Sequence, residues 1–157
     1  MKTKSFAEMQ CSVARTLEQV GSWWSLLIIR DAMMGARRFK HFEGSLGIAK
    51  NTLTKRLNEL VASGILRRVP SQDGSSYEEY ELTEQGLDLA PVLMALAQWG
   101  DKWVAHTDGP TFSFVDRKTG RKIPRIWPRR GNGSAMPLSD IALKRPENAC
   151  NHKNSVR

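Results

Sequence analysis

A mainly helical fold with a small β-hairpin wing, α+β in class, is what this 157-residue chain predicts, on three observations. Apolar residues recur at helical spacing through four successive segments. A hairpin-turn signal, Asp73-Gly74, then separates two strand-like runs. A long apolar helix follows.

Val13, Leu17 and Val20, at +4 and +3 spacing, predict a first helix over residues 12–20, with an apolar stripe for the core. Gly21 ends it and Ser22 is placed to cap the next. That second helix, about Trp23 to Met34, is apolar on nearly every side and should be central and buried. Arg37 and Arg38 form an extended link. FKHFEGSL, with Phe39, Phe42 and Leu46 in helical register, is a short third helix, weakened by Gly44. Gly47 suits a tight turn needing positive φ. A fourth helix runs from about Lys50 to Ser63. Two helices joined by so short a glycine-containing turn form the helix-turn-helix pattern. ILRRV and YEEYEL then read as two strands around the polar PSQDGSS tip, making the wing. Thr83 caps a long helix, about Glu84 to His106, with Pro91 expected to kink or split it near Ala90. From Gly109 the character changes. Strands near 111–115 and 122–127 around Lys118-Thr119-Gly120 read as a second hairpin, and the polar chain after Pro128 reads as irregular, its last dozen residues disordered. The expected architecture is a winged helix-turn-helix with added N- and C-terminal dimerisation helices and a C-terminal β-hairpin extension. The expected organisation is 1–106 for DNA binding and dimerisation, 107–130 for a basic hairpin extension and 131–157 for an irregular tail.

Composition narrows the function. No apolar run reaches the length of about 18 residues that a membrane helix needs, and residues 1–12 have no signal-peptide block, which predicts a cytoplasmic protein. Cys11 and Cys150 form no CxxC, so neither a disulfide framework nor a metal site is indicated. His41, His106 and His152 are scattered without Cys or carboxylate at ligand spacing. There is no Gly-rich phosphate loop and no nucleophile motif, so no enzyme and no cofactor is expected. The net charge of +8 divides into +1 over residues 1–104 and +7 over 105–157. Within the first part, residues 37–56 hold six basic residues and one acid, Glu43. Such a cluster suits an anionic partner, nucleic acid before membrane; a charge cluster taken alone is more often a solvated face.

The fourth helix sharpens that reading. Leu53, Leu57, Leu60 and Val61 share one stripe, while Asn51, Lys55, Asn58 and Glu59 lie opposite. A helix in the major groove needs an apolar back to seat it and a front of donors and acceptors near its N-terminus. Asn pairs with adenine, Lys and Arg with guanine or phosphate, and Thr with either a base edge or a thymine methyl. The expected DNA contacts are therefore Lys50, Asn51, Thr52, Thr54, Lys55 and Arg56 on this helix, Arg37, Arg38 and Lys40 before it, and Arg67 and Arg68 at the wing base. Ala49 stands where a serine would have capped the helix and touched phosphate, leaving the backbone amides and Lys50 to hold the DNA backbone.

These residues also carry a family likeness. Cys11, GSWWSLLIIRDAMMG at 21–35, ARRF at 36–39, LGIAKNTLTKRLNELVASGIL at 46–66, YELTEQG at 80–86 and LAPVLMALAQWGDKW at 89–103 together resemble the HxlR family of bacterial transcriptional regulators, relatives of the MarR group. The resemblance implies a dimeric winged-helix protein that binds double-stranded DNA and represses or activates nearby genes. Two features depart from it. Trp23 stands where the family often has a basic residue, and the extension lacks the cysteines some relatives carry, which puts a metal role there in doubt.

VLMALA at 92–97 is apolar all round, and Trp99 and Trp103 continue it. A small domain has one core to offer, so the other side requires a partner; a second copy in two-fold symmetry is the simplest. Val92, Leu93, Leu96, Trp99 and Trp103 are the expected dimer contacts. A C-terminal hairpin folded back over this surface is the alternative. Cys11 lies away from the Val13 stripe, near a helix N-terminus with Arg15 one turn on, a setting that favours a thiolate. The resemblance implies redox or electrophile sensing there in some members; packing as a small apolar residue is the other reading. The competing function is a winged-helix protein–protein module with no DNA target. The small-molecule effector is left open.

Overall fold

The structure is a computed structural model, and it describes residues 5–6, 8–104, 107, 109–110 and 112–144. The chain forms two compact units, one ending at Phe114 and the other beginning at Val115.

In the first unit the order is α1 (Ser12–Val20), α2 (Trp23–Met33), α3 (Phe39–Leu46), α4 (Lys50–Ala62), β1 (Leu66–Pro70), β2 (Glu78–Leu82), α5 (Glu84–Leu87) and α6 (Ala90–Trp103). The long final helix is indeed split: Leu89 caps α6 and Pro91 sits in its first turn, where its missing N–H costs nothing. The helical register expected as far as His106 lies partly outside the described residues. Thr83 caps α5 as expected. Its Oγ1 accepts from the Gly86 amide at 3.2 Å and donates to the Gly64 carbonyl at 2.5 Å, tying the end of α4 to the start of α5. Gly86 allows that approach, since a Cβ there would stand 2.3 Å from the Ile65 carbonyl oxygen. Ser22, by contrast, makes no capping bond.

The core joins Val20, Ile28, Ile29, Phe42, Ile48, Leu53, Leu57, Leu60, Ile65, Leu66 and Leu93. This one cluster spans α1, α2, α3, α4, β1 and α6, so α4 cannot shift without disturbing the rest. Three expectations change. Val13 and Leu17 are exposed and only Val20 of their stripe is buried, because α1 turns just its last residue into the core. α2 is central as expected, with Ser25, Ile28, Ile29 and Asp31 buried and Trp24, Leu26, Ala32 and Met33 packed on the core, but Trp23 at its start is 76 % exposed. Leu93, expected at a subunit contact, turns inward with Met94.

Asp31 was not foreseen in the core. It is buried, and Nε and Nη2 of the neighbouring Arg30 both donate to its Oδ1, at 2.8 and 2.7 Å. Arg30 also lies over the Phe112 ring, at 5.9 Å from its centroid. Phe114 packs on the core as well, so residues assigned to the extension by composition join the first unit.

In the second unit the expected two-stranded hairpin shows, among the described residues, a single bridge, Val115 with Lys122; a further bridge joins Arg129 with Ala135 beyond it. The turn between the first pair is built by Asp116, whose Oδ1 accepts from the amides of Lys118 and Thr119. A side chain thus replaces the ladder. The segment read as irregular from 131 has local order up to 144: Trp127 Nε1 donates to the Met136 carbonyl at 2.8 Å, and a 3-10 turn covers Leu138–Asp140. His106, Cys150, His152 and the tail beyond 144 lie outside the described residues.

Candidate nucleic-acid interface

The turn between α3 and α4 is Gly47-Ile48-Ala49. Gly47 closes α3 with φ 59°, the left-handed conformation anticipated for it, and its amide donates to the Glu43 carbonyl at 3.0 Å. Ile48 drops into the core. The turn therefore presents the N-terminus of α4 at the surface while pinning it from below. Leu53, Leu57 and Leu60 are fully buried behind α4, whereas Lys50, Asn51, Thr54, Lys55, Asn58 and Glu59 are exposed. Thr52, Arg56 and Val61 flank them, half-buried. No side chain caps Ala49 and the first turn holds no acid, so the positive end of the helix faces outward unneutralised.

The sequence counts every cation equally; the folded chain does not. The arginines are paired. Arg37 Nε donates to Glu79 Oε2 at 3.0 Å and its Nη2 to Glu81 Oε1 at 3.3 Å. Arg38 Nε donates to Glu79 Oε1 at 3.1 Å, and its Nη2 reaches both Ser71 Oγ, at 2.8 Å, and Asp73 Oδ2. Arg56 lies 2.7 Å from Glu59 along α4. Arg67 pairs with Glu81 across the hairpin, at 2.5 Å. Arg68 donates to Asn58 Oδ1 at 2.5 Å, bringing the wing base onto α4 and engaging Asn58 away from a groove. The lysines differ. Lys40 and Lys55 are exposed and make no ion pair among the described residues, and Lys50 stands 3.8 Å from Glu43 while 76 % exposed. The local +5 of residues 37–56 therefore shrinks mostly to lysines on α3 and α4.

The wing strands pair in antiparallel register from Leu66 with Leu82 to Pro70 with Glu78. Glu79 is buried. Burial pushes its carboxyl up, but hydrogen bonds from Arg38 and Ser71 and the charges of Arg37 and Arg38 outweigh that and hold it below the ordinary value. Hydrogen bonds from Ser71 and Arg38 hold Asp73 far lower than usual. Glu81 is lowered chiefly by Arg67.

A second surface is apolar. Val92, Leu96, Trp99 and Trp103 form one exposed stripe of α6, and Val13 and Leu17 form another on α1. Cys11 is exposed at the N-cap of α1, and Arg15 donates its amide to the Cys11 carbonyl at 3.0 Å. Among the described residues no group of three or more His, Cys, Asp or Glu side chains is placed to hold a metal ion, and no helix is long and apolar enough to cross a membrane.

A helix-turn-helix with a clamped wing is a DNA-reading architecture. Residues 19–108 match the family model described as HxlR-like helix-turn-helix. The chain belongs to the HxlR family. An HTH-type transcriptional regulator of Mycobacterium bovis, itself uncharacterised, is 46 % identical over 116 residues, covering 73 % of each chain. Another, YtcD of Bacillus subtilis, is 32 % identical over 67 % of this chain and 84 % of its own. Among solved structures, a candidate transcription factor superposes with a TM-score of 0.82 at 40 % identity, over 91 % of this chain and all of that one. The redox regulator HypR, in its oxidised form, matches with a TM-score of 0.53 at 33 % identity, over 57 % of this chain and 94 % of its own. This HxlR-family chain is thus a transcriptional regulator with a helix-turn-helix DNA-binding domain in an α+β winged fold.

Proposed function

We propose that this HxlR-family regulator binds a specific inverted-repeat operator in double-stranded DNA as a homodimer. The observation that carries the reading is the surface of α4, where Asn51, Thr54 and Lys55 stand free on one side of a helix whose other side is seated by three fully buried leucines. Asn51 and Lys55 read base edges, with Thr52 and Thr54 beside them. Lys50, Lys40 and the open helix N-terminus hold phosphates. Arg67 and Arg68 reach the backbone from the wing base by exchanging their partners in the free chain, Glu81 and Asn58, for phosphates. Two copies join through the apolar stripe of α6, Val92, Leu96, Trp99 and Trp103, with Val13 and Leu17 of α1 beside it. This sets the two α4 helices about 34 Å apart, for half-sites roughly 10 bp apart.

A gel shift on the gene's upstream region at two salt concentrations tests this. DNA binding through phosphates weakens steeply with salt. A winged-helix module that binds only protein would show no shift at either.

Oxidant or electrophile response through Cys11 is the second part of the reading. It is supported by the exposure of Cys11 and by the likeness to a redox regulator. Cys11→Ser should abolish release of DNA by oxidant in the gel shift; unchanged release would exclude Cys11 as the sensor.

A further inference from the structure

Arg37 and Arg38 belong to a closed electrostatic group. Three guanidiniums (Arg37, Arg38 and Arg67) face three carboxylates (Asp73, Glu79 and Glu81). Glu79 is the member that joins the halves: one oxygen takes Arg37, the other takes Arg38 and also accepts from Ser71 Oγ at 3.0 Å. Its side chain is 6 % exposed, so its charge is held by these partners and not by water. Beside it the Tyr80 amide donates to the Arg37 carbonyl at 2.7 Å, fastening β2 to the α2–α3 link. Arg38 is the N-cap residue of α3, so the wing is fastened directly to the first helix of the helix-turn-helix.

We propose that Glu79 is a positioning and specificity-determining residue for DNA binding, which fixes the wing against the helix-turn-helix and withholds Arg37 and Arg38 from phosphates. The inference rests on the DNA-binding reading above and assigns these two arginines a role other than contact. An arginine pair left free at the edge of the interface would bind any duplex, because phosphate contacts carry no sequence information. Neutralised by Glu79 together with Asp73 and Glu81, the pair adds rigidity to the wing and no sequence-independent affinity. Readout is left to α4, and each copy keeps its wing at one angle to that helix.

The test uses full-length protein as wild type, Glu79→Gln and Arg38→Gln. The probes are a fluorescent random-sequence duplex and a duplex enriched from a random library by the wild type, over a salt series. Glu79→Gln should bind the random duplex more tightly, with a salt slope steeper by about 1 for each guanidinium released to a phosphate. Its preference for the enriched duplex should fall. Arg38→Gln should leave the slope on random duplex unchanged while weakening the enriched duplex. If Arg38→Gln reduces the slope by about 1, Arg38 already touches phosphate and the proposal is overturned; this holds even if Glu79→Gln fails to fold. Loss on both duplexes with an unaltered slope in Glu79→Gln would mark a merely structural carboxylate and overturn it too. A wild type that enriches no duplex and binds without salt dependence would remove the DNA-binding reading itself, and the proposal with it.

Discussion

At the scale of single residues, pairing decides which polar side chains are free to bind. Asn51 and Lys55 were legible from sequence, because the leucine stripe at 53, 57 and 60 dictates which side of α4 is outward, and both are indeed exposed. The arginines were not, because an ion pair between residues some forty positions apart, such as Arg38 with Glu79, leaves no local periodicity. We predict that Asn51→Ala and Lys55→Ala each cost about 1–3 kcal/mol on the specific site and relax sequence preference. Binding isotherms on matched and scrambled duplexes measure this. An equal loss on every sequence for Asn51→Ala would remove it as a base reader. Asp31 marks the limit of pattern reading: the pattern does not say whether a carboxylate inside an apolar helix turns to the core or to solvent, and here it is buried against Arg30.

At the scale of elements, boundaries followed local chemistry wherever a cap or turn residue imposed them. Gly47, Thr83 and Pro91 end or start helices because φ, a hydroxyl and a missing N–H act within one turn. The second hairpin fared worse. Its turn was legible in Lys118-Thr119-Gly120, but strand length depends on tertiary cover, and among the described residues only one bridge, Val115 with Lys122, forms across that turn. The wing carries a pH response of its own. Asp73, Glu79 and Glu81 all ionise below their ordinary values in the folded chain. Their contribution to stability is therefore complete above the unfolded-chain values, about pH 4, and lost as pH falls through the lowered ones. Thermal melts should be flat from pH 7 to about 5 and decline below about 4. The decline should shrink in Glu79→Gln; an identical acid limb in that variant would show that the clasp does not contribute.

At the scale of the whole molecule, the exposed stripes of α1 and α6 are too apolar for a surface facing only water. We predict that Leu96→Glu combined with Trp99→Glu yields a folded monomer, because both side chains are exposed and their loss opens no cavity. Sedimentation should give half the wild-type mass, with an unchanged helical circular dichroism signal. Affinity for a two-half-site duplex should fall far more than affinity for a single half-site. A wild type that sediments as a monomer at micromolar concentration would refute the dimer. Leu93 was read as part of this surface because the helix is apolar all round; periodicity cannot say which side of such a helix the chain's own core claims.

The sequence by itself determined the order of elements, the helix-turn-helix, the wing and the outward side of α4, because helix period, turn glycines and caps act over a few residues. Only the tertiary structure decided which cations stay unpaired, that Glu79 and Asp31 are buried, and which part of the α2 and α6 surfaces is left exposed. Those outcomes depend on which distant segments meet, and burial and ion pairing respond to distance in space and not to distance along the chain.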